Sequence, residues 1–375
     1  MKVTIAPGDG IGPEIMEFVL DVFRAAEVPL DYESVDLGDG NVGLSEEARA
    51  SIERTGVLLK GPVEGDGPGS EHGPSHPSIA ARRAGNAYAE KRIYRMIPGV
   101  PTPIGHRDLG LTIVRGMIEE EYAPKEQMVD QAVAVSSRYA TRTSCLRLHR
   151  YTFEMAARKG AKRVTCAHQA EVMKLVDGMF VETFYEVAKQ YPDLAADDLS
   201  VDRLALNLLT EPEAYDVVVL TDMPGDLLPD LAAGIVGGLA YAPSASIGED
   251  AAIFETVHGT ARDAIGNDKA NPSALLLAGT IMLRHLGLVD HAFRIESALE
   301  RALYRMHKDP DVLAYVDRFH TSIFRHLMLG ELRRELGEEL PPWSGDPEIE
   351  PQEPAPKPRR LSGLPSIGIQ LDGLA

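Results

Sequence analysis

A β-prone run, Lys2–Ala6, passes within two residues into Gly8-Asp9-Gly10-Ile11-Gly12-Pro13. A helical pattern then extends to Ala26, with Ile15, Phe18, Val19, Val22 and Phe23 on one face. Strand, glycine turn and amphipathic helix in that order commit the start of the chain to an α/β architecture. Further extended runs occur at Leu30–Val35, Arg163–Cys166 and Asp216–Leu220. Helical patterns occur at Thr152–Arg158, Ala170–Lys189 and Pro272–Leu286, and there is no internal repeat. The glycine turn invites comparison with a dinucleotide fingerprint, but that pattern needs a third glycine where Pro13 stands. The simpler expectation is a turn capped by Asp9, with Pro13 opening the helix.

Several classes are excluded by composition. The 375 residues carry a net charge of −19, which argues against general affinity for nucleic acid. An acidic chain still binds anions where its arginines cluster. No run approaches the ~20 apolar residues of a membrane helix, and the first residues do not form a secretory signal. Two cysteines, Cys145 and Cys166, rule out a disulfide framework and point to a reducing, cytoplasmic setting. Residues 341–375 hold 8 of the 26 prolines and are expected to be a flexible tail. The alternation of Ile367, Ile369 and Leu371 leaves open docking on a sheet edge or a neighbour.

Three groups of residues have the character of carboxylate and metal chemistry. Arg82, Arg92 and Arg115, with Tyr122 beyond them, suit bidentate binding of carboxylates if they converge. Asp226 and Asp230, four apart on a helix, repel one another unless an oxygen-liganded divalent cation lies between them. The plainer alternative has Asp226 capping the helix and Asp230 solvated. Phe254-Glu255-Thr256-Val257-His258-Gly259-Thr260-Ala261, followed by Asp263 and Asn271, is a small-residue loop able to lie against an adenine and its ribose.

Taken together, GDGIGPEI, GPVEG, IPGVPTP, VRGMIEEEY, VMKLVDGMF, YDVVVLTDMPGDLLPDLAA, APSASIGEDAAIFETVHGTA and NDKANPSALLLAG resemble the β-decarboxylating dehydrogenases of isocitrate, 3-isopropylmalate and homoisocitrate. The resemblance runs in order from Lys2 to about Gly287. It implies a mixed sheet flanked by helices, a non-Rossmann cofactor site and two domains around a cleft. Residues 1–95 and 237–340 would form the large domain, and 96–236 the small one with a dimerisation segment. It further implies that Arg82, Arg92 and Arg115 hold the carboxylates of a malate-type substrate. Asp202, Asp226 and Asp230 match the aspartates that hold Mg²⁺ or Mn²⁺, one of them normally supplied by the second subunit of a homodimer. Tyr122 matches the tyrosine that protonates the enolate left by loss of CO₂. His258, Gly259, Thr260, Ala261 and Asn271 match the adenine loop, and Asp263 the acid that favours NAD over NADP by repelling a 2′-phosphate. Ala264 stands where isoleucine is usual.

This chain departs from the family where the proton is taken. The family's His-Lys-Ala-Asn is here His168-Gln169-Ala170-Glu171. Gln169 cannot serve as the base, which typically contributes ~10²–10⁴ in rate, and Glu171, the candidate substitute two residues on, is not expected to occupy the same point. The loop before Arg82 places His76 and Ser78 where the family reads the substrate's side group. With His72 nearby and GDGPGSEHGPSHPS polar throughout, a polar or anionic side group fits better than isopropyl. Gly116 and Met117 also change the floor beside Arg115. The expected activity is NAD- and metal-dependent oxidative decarboxylation of a 3-substituted malate. The alternatives are a regulatory or binding paralogue that has lost chemistry, and a metal-assisted decarboxylase without hydride transfer.

Overall fold

The structure, a computed structural model, describes residues 1–38, 43–65, 76–105, 107–117, 125–314 and 319–335. Tyr122, His72 and the proline-rich tail lie outside the described residues. Twelve strands are present among the described residues: β1 (Lys2–Ala6), β2 (Asp31–Ser34), β3 (Val57–Lys60), β4 (Ala87–Arg95), β5 (Gly110–Gly116), β6 (Lys125–Met128), β7 (Ala134–Ser137), β8 (Arg163–His168), β9 (Ala195–Ser200), β10 (Val217–Leu220), β11 (Pro243–Gly248) and β12 (Ala252–Thr256). Ten form one sheet in the order β2-β1-β3-β12-β11-β4-β5-β10-β8-β9, while β6 and β7 pair as a separate ribbon. Both ends of the large sheet are parallel, and its centre, β12-β11-β4-β5, is antiparallel. The expected mixed sheet is therefore observed, and its antiparallel centre distinguishes it from the wholly parallel sheet of the ordinary dinucleotide fold.

Alternation along the strands explains how helices cover both faces. Val3 and Ile5 enter one apolar cluster, with the helices Gly12–Ala25, Ser273–His285, Val289–Lys308 and Thr321–Glu335, whereas Ala6 enters another with Ala48, Ile52 and Ala81. Two further clusters cover the β5, β10 and β8 side. One lies against the helices Val201–Thr210 and Pro224–Val236, the other against Arg142–Lys159 and Val176–Ala188.

Two local expectations are corrected. Asp9 does not cap the first helix by its side chain. Its carboxylate accepts from Glu64 N at 2.8 Å, and Ile11 occupies the cap position without a side-chain bond. The helix expected from Ala170 starts at Val176. His168 Nδ1 accepts from Ala170 N at 3.0 Å and Asp177 Oδ2 from Gln169 N at 2.7 Å, so side chains take the donors and bend this stretch into turns.

Candidate active site

Strand register builds the floor of the site. Lys60 on β3 faces Glu255 on β12, which faces Ser244 on β11, which faces Arg92 on β4; two residues back, Glu90 faces Arg115 on β5. Residues two apart share a face. One polar row therefore crosses five adjacent strands, and all six side chains are buried. Arg82 reaches the row from the helix Pro77–Ala84, and Asp226 and Asp230 reach it from the helix Pro224–Val236. The loop after β12 brings in Val257, His258 and Gly259, completing a cleft of about 370 Å³.

Within it the three sequence-selected arginines converge. Arg82 donates to Glu255 at 2.7 and 3.1 Å, and Arg92 to Glu90 at 3.2 and 3.4 Å. Arg115 pairs with Glu90 through Nε and with Asp226 at 2.8 Å. Arg92 also meets Asp226 at 2.9 Å and Asp230 at 3.4 Å. Gly225 permits this approach, because a Cβ there would lie 2.4 Å from that of Arg115. Asp226 is thus bound to two arginines and is not the cap, a position held by Met223.

Electrostatics keep these groups charged. Burial alone would raise the carboxyl of Glu90, yet the guanidinium groups of Arg115, Arg92 and Arg82 hold it well below the usual range. Glu255 is lowered to about 2 against the same burial, by Arg82 and Lys60. The arginines are raised in turn, as Glu90 and Glu255 outweigh the desolvation. Burial raises Asp230, with Asp226 adding to it. Glu90 and Lys60 were not selected from the sequence, and Glu255, read there as part of the small-residue loop, lies instead with Phe254 and Thr256 in β12.

The loop at His258–Ala261 rests on the glycine turn. Ile11 N donates to Thr260 O at 3.0 Å, and a Cβ on Gly10 would lie 2.0 Å from that oxygen. Glu64 accepts from Thr260 Oγ1 at 2.9 Å and pairs with Arg262. Burial lowers the pKa of His258, so the ring is neutral. Nδ1 donates to Gly259 O at 3.0 Å, leaving Nε2 a buried acceptor without a hydrogen-bond partner. That orphaned acceptor in the cleft wall suits the exocyclic amine of an adenine. Ala261 has φ of +42°, Asp263 is exposed beyond it, and Asn271 is half-buried, its side chain accepting from Ser273 N at 3.0 Å.

The remaining residues divide. Ser78 and His76 line the cleft, and His76 Nδ1 also accepts from Ser78 N at 3.2 Å, capping its helix. Gly116 and Met117 line a smaller cavity, about 30 Å³, with Tyr88, Cys145 and Asp222. Gln169, Glu171 and Asp202 are exposed and do not line the cleft of their own chain. Among the described residues no group of three candidate ligands is assembled, so a metal held by the hard oxygens of Asp226 and Asp230 would need a third donor from elsewhere.

A mixed ten-stranded sheet thus carries a cleft that combines clustered arginines with paired aspartates and is bordered by His258 and Gly259, and the comparisons with known proteins place it among the decarboxylating dehydrogenases of hydroxy acids. The model of the isocitrate/isopropylmalate dehydrogenase family matches residues 2–327, and the chain belongs to that family. It is 41% identical over 305 residues to a regulatory subunit of the mitochondrial NAD isocitrate dehydrogenase of Dictyostelium discoideum, covering 80% of this chain and 84% of that one. The NADP isocitrate dehydrogenase of Thermus thermophilus is 40% identical over 303 residues, 79% of this chain and 60% of the relative. The crystal structure of isocitrate dehydrogenase from Methylococcus capsulatus superposes with a TM-score of 0.81 at 34% identity, over 88% of this chain and 99% of that one.

Proposed function

We propose that this protein carries out NAD- and divalent-metal-dependent oxidative decarboxylation of a 3-substituted malate with a polar side group. The observation that carries the reading is the convergence of Arg82, Arg92 and Arg115 with Asp226 and Asp230 in one cleft that ends at His258 and Gly259. The arginines hold the substrate carboxylates through paired N–H donors, while Glu90 and Glu255 fix the orientation of their forks. Asp226 and Asp230, joined by an exposed Asp202 from a second copy, suit Mg²⁺ or Mn²⁺. His258–Ala261, Asp263 and Asn271 suit NAD. A nicotinamide held by that loop would supply a hydride acceptor, and a divalent cation held by the aspartates would supply a Lewis acid for the oxygen on the carbon being oxidised.

The hydroxyl proton needs another acceptor, since the Gln169 amide has no basic lone pair. Glu171 is the nearest candidate in sequence and lies exposed, open to a cleft contributed by a second copy. Tyr122 is proposed as the later proton donor. We also propose the division into 1–95 with 237–340 and 96–236, a border that the four apolar clusters largely respect. No helix among the described residues is long and apolar enough to cross a membrane, and two buried cysteines that form no disulfide support a cytoplasmic setting.

The test is NADH formation with Mn²⁺ across isocitrate, homoisocitrate, 3-isopropylmalate, tartrate and malate. Absence of turnover with every acid overturns the enzymatic reading. A second reading, a regulatory or binding paralogue, is favoured by Gln169 together with the likeness to a regulatory subunit. Turnover by the isolated protein at ordinary enzyme rates removes it.

A further inference from the structure

Among the described residues, Glu90 is the side chain of the polar row that engages only the proposed substrate-binding arginines and one hydroxyl. It is 1% exposed and accepts from Arg92, Arg115 and Ser244, with Arg82 at 3.9 Å. We propose that Glu90 sets the charge of the substrate, matching the cleft to a dianion, a malate with an uncharged polar substituent such as hydroxyl, and against a tricarboxylate. This inference rests on the dehydrogenase reading and narrows its substrate class.

Charge balance carries the argument. Among the described residues the cleft is lined by four cations, Lys60, Arg82, Arg92 and Arg115, and four carboxylates, Glu90, Glu255, Asp226 and Asp230. The fixed charges cancel. A divalent cation held by Asp226, Asp230 and an Asp202 from a second copy would add one net positive charge and the oxidised nicotinamide of NAD a second, which two substrate carboxylates neutralise. A third carboxylate would require one more cation, and the cations of the row are already engaged. Arg82 turns its Nε edge to Glu255 and Lys60 its ammonium, at 2.8 Å. Arg92 and Arg115 both turn their Nε edges to Glu90. The lining beside Arg82, formed among the described residues by Val63, Ser78 and Ile79, adds no further arginine or lysine. With a neutral residue at position 90, one positive charge would be released for a third carboxylate.

Calorimetric titration of the full chain with Mn²⁺, using tartrate, malate and isocitrate as ligands, tests this directly. The native protein is expected to bind the dianions at least about tenfold more tightly than isocitrate, and Glu90→Gln to shift that ratio towards isocitrate by about tenfold or more, roughly one unit charge in a part-buried site. If Glu90→Gln does not fold, Glu90→Asn enters the same comparison, and the native ranking decides by itself if neither variant folds. Isocitrate binding to the native protein as tightly as the dianions overturns the inference, as does an unchanged ratio in a folded variant. Selective binding of dianions without turnover leaves it standing while removing the dehydrogenase reading. Binding of neither class removes both.

Discussion

Glu90 and Arg115 face one another in register across β4 and β5 and form an ion pair at 1% and 2% exposure on the floor of the cleft. Isolated, such a pair loses more in desolvation than it gains in attraction. Here it is one part of a connected row, with Arg92 and Ser244 also bonded to Glu90 and Lys60 and Arg82 sharing Glu255. A cleft built this way is pre-organised, because the forks of the arginines are aimed before any ligand arrives.

Removing Glu255 should expose this interdependence. Glu255→Gln leaves Lys60 at 2% exposure without its carboxylate, a loss of ~3–5 kcal/mol for a broken buried pair. The folded carboxyl titrates at about 2 against an ordinary value of 4.5. Its stabilisation is therefore complete above the unfolded value and is lost as pH falls through the folded one. Urea midpoints should show the full deficit of the variant at neutral pH, shrinking from pH about 4.5 towards about 2. A deficit that stays constant over that window would place the effect elsewhere.

The glycine turn gives a second expectation. Gly10 has φ of +62° and its hydrogen faces Thr260 O, so alanine there both strains the backbone and pushes on the loop proposed to hold the cofactor. Gly10→Ala should cost ~1–3 kcal/mol and weaken NADH binding by about tenfold or more, read by nucleotide fluorescence. Gly105→Ala is the control, since that glycine has φ of +74° and nothing within 4 Å of an added Cβ. It should lower stability modestly and leave nucleotide affinity unchanged.

These two positions also mark how far the sequence could be read. The strand–glycine–helix opening was legible because its signals are local, and Arg82, Arg92, Arg115, Asp226 and Asp230 were legible because their residue types announce carboxylate and metal chemistry. Glu90 and Glu255 were not. Arg82 and Glu255 are separated by 173 positions, and Ser244 and Glu90 by 154, so the first pair exists only through the docking of a helix beside β12 and the second only through sheet register. The late start of the helix at Val176 was hidden for a related reason, since Asp177 reaches back to Gln169 and no periodicity reports that. Asp202 shows the limit for a single chain, as it is exposed and does not line the cleft of its own chain.

Restoring the family's lysine tests whether the missing base is the defect. Gln169→Lys is expected to raise NADH formation by ~10²-fold or more over the native protein with the preferred malate and Mn²⁺, the usual contribution of a positioned base. A native rate that is already high and does not rise would assign the proton to another group, and Glu171→Gln should then abolish it.

The final expectation concerns assembly. The helices Val201–Thr210 and Pro224–Val236 pack together and leave Leu206, Leu209, Met223 and Leu227 47–67% exposed, while Asp202, Asp226 and Asp230 lie on the same two helices. An apolar surface interleaved with the carboxylates proposed to bind metal is what a second copy would cover if it supplied Asp202 to its neighbour's cleft. The full chain should therefore sediment as a dimer. Leu206→Asp with Leu227→Asp should yield a folded monomer, because both side chains are exposed within the protomer. That monomer should bind Mn²⁺ at least about tenfold more weakly, as expected when one of three carboxylate ligands is withdrawn. A monomeric native protein, or a monomeric variant with undiminished Mn²⁺ affinity, would show that each chain completes its metal site alone.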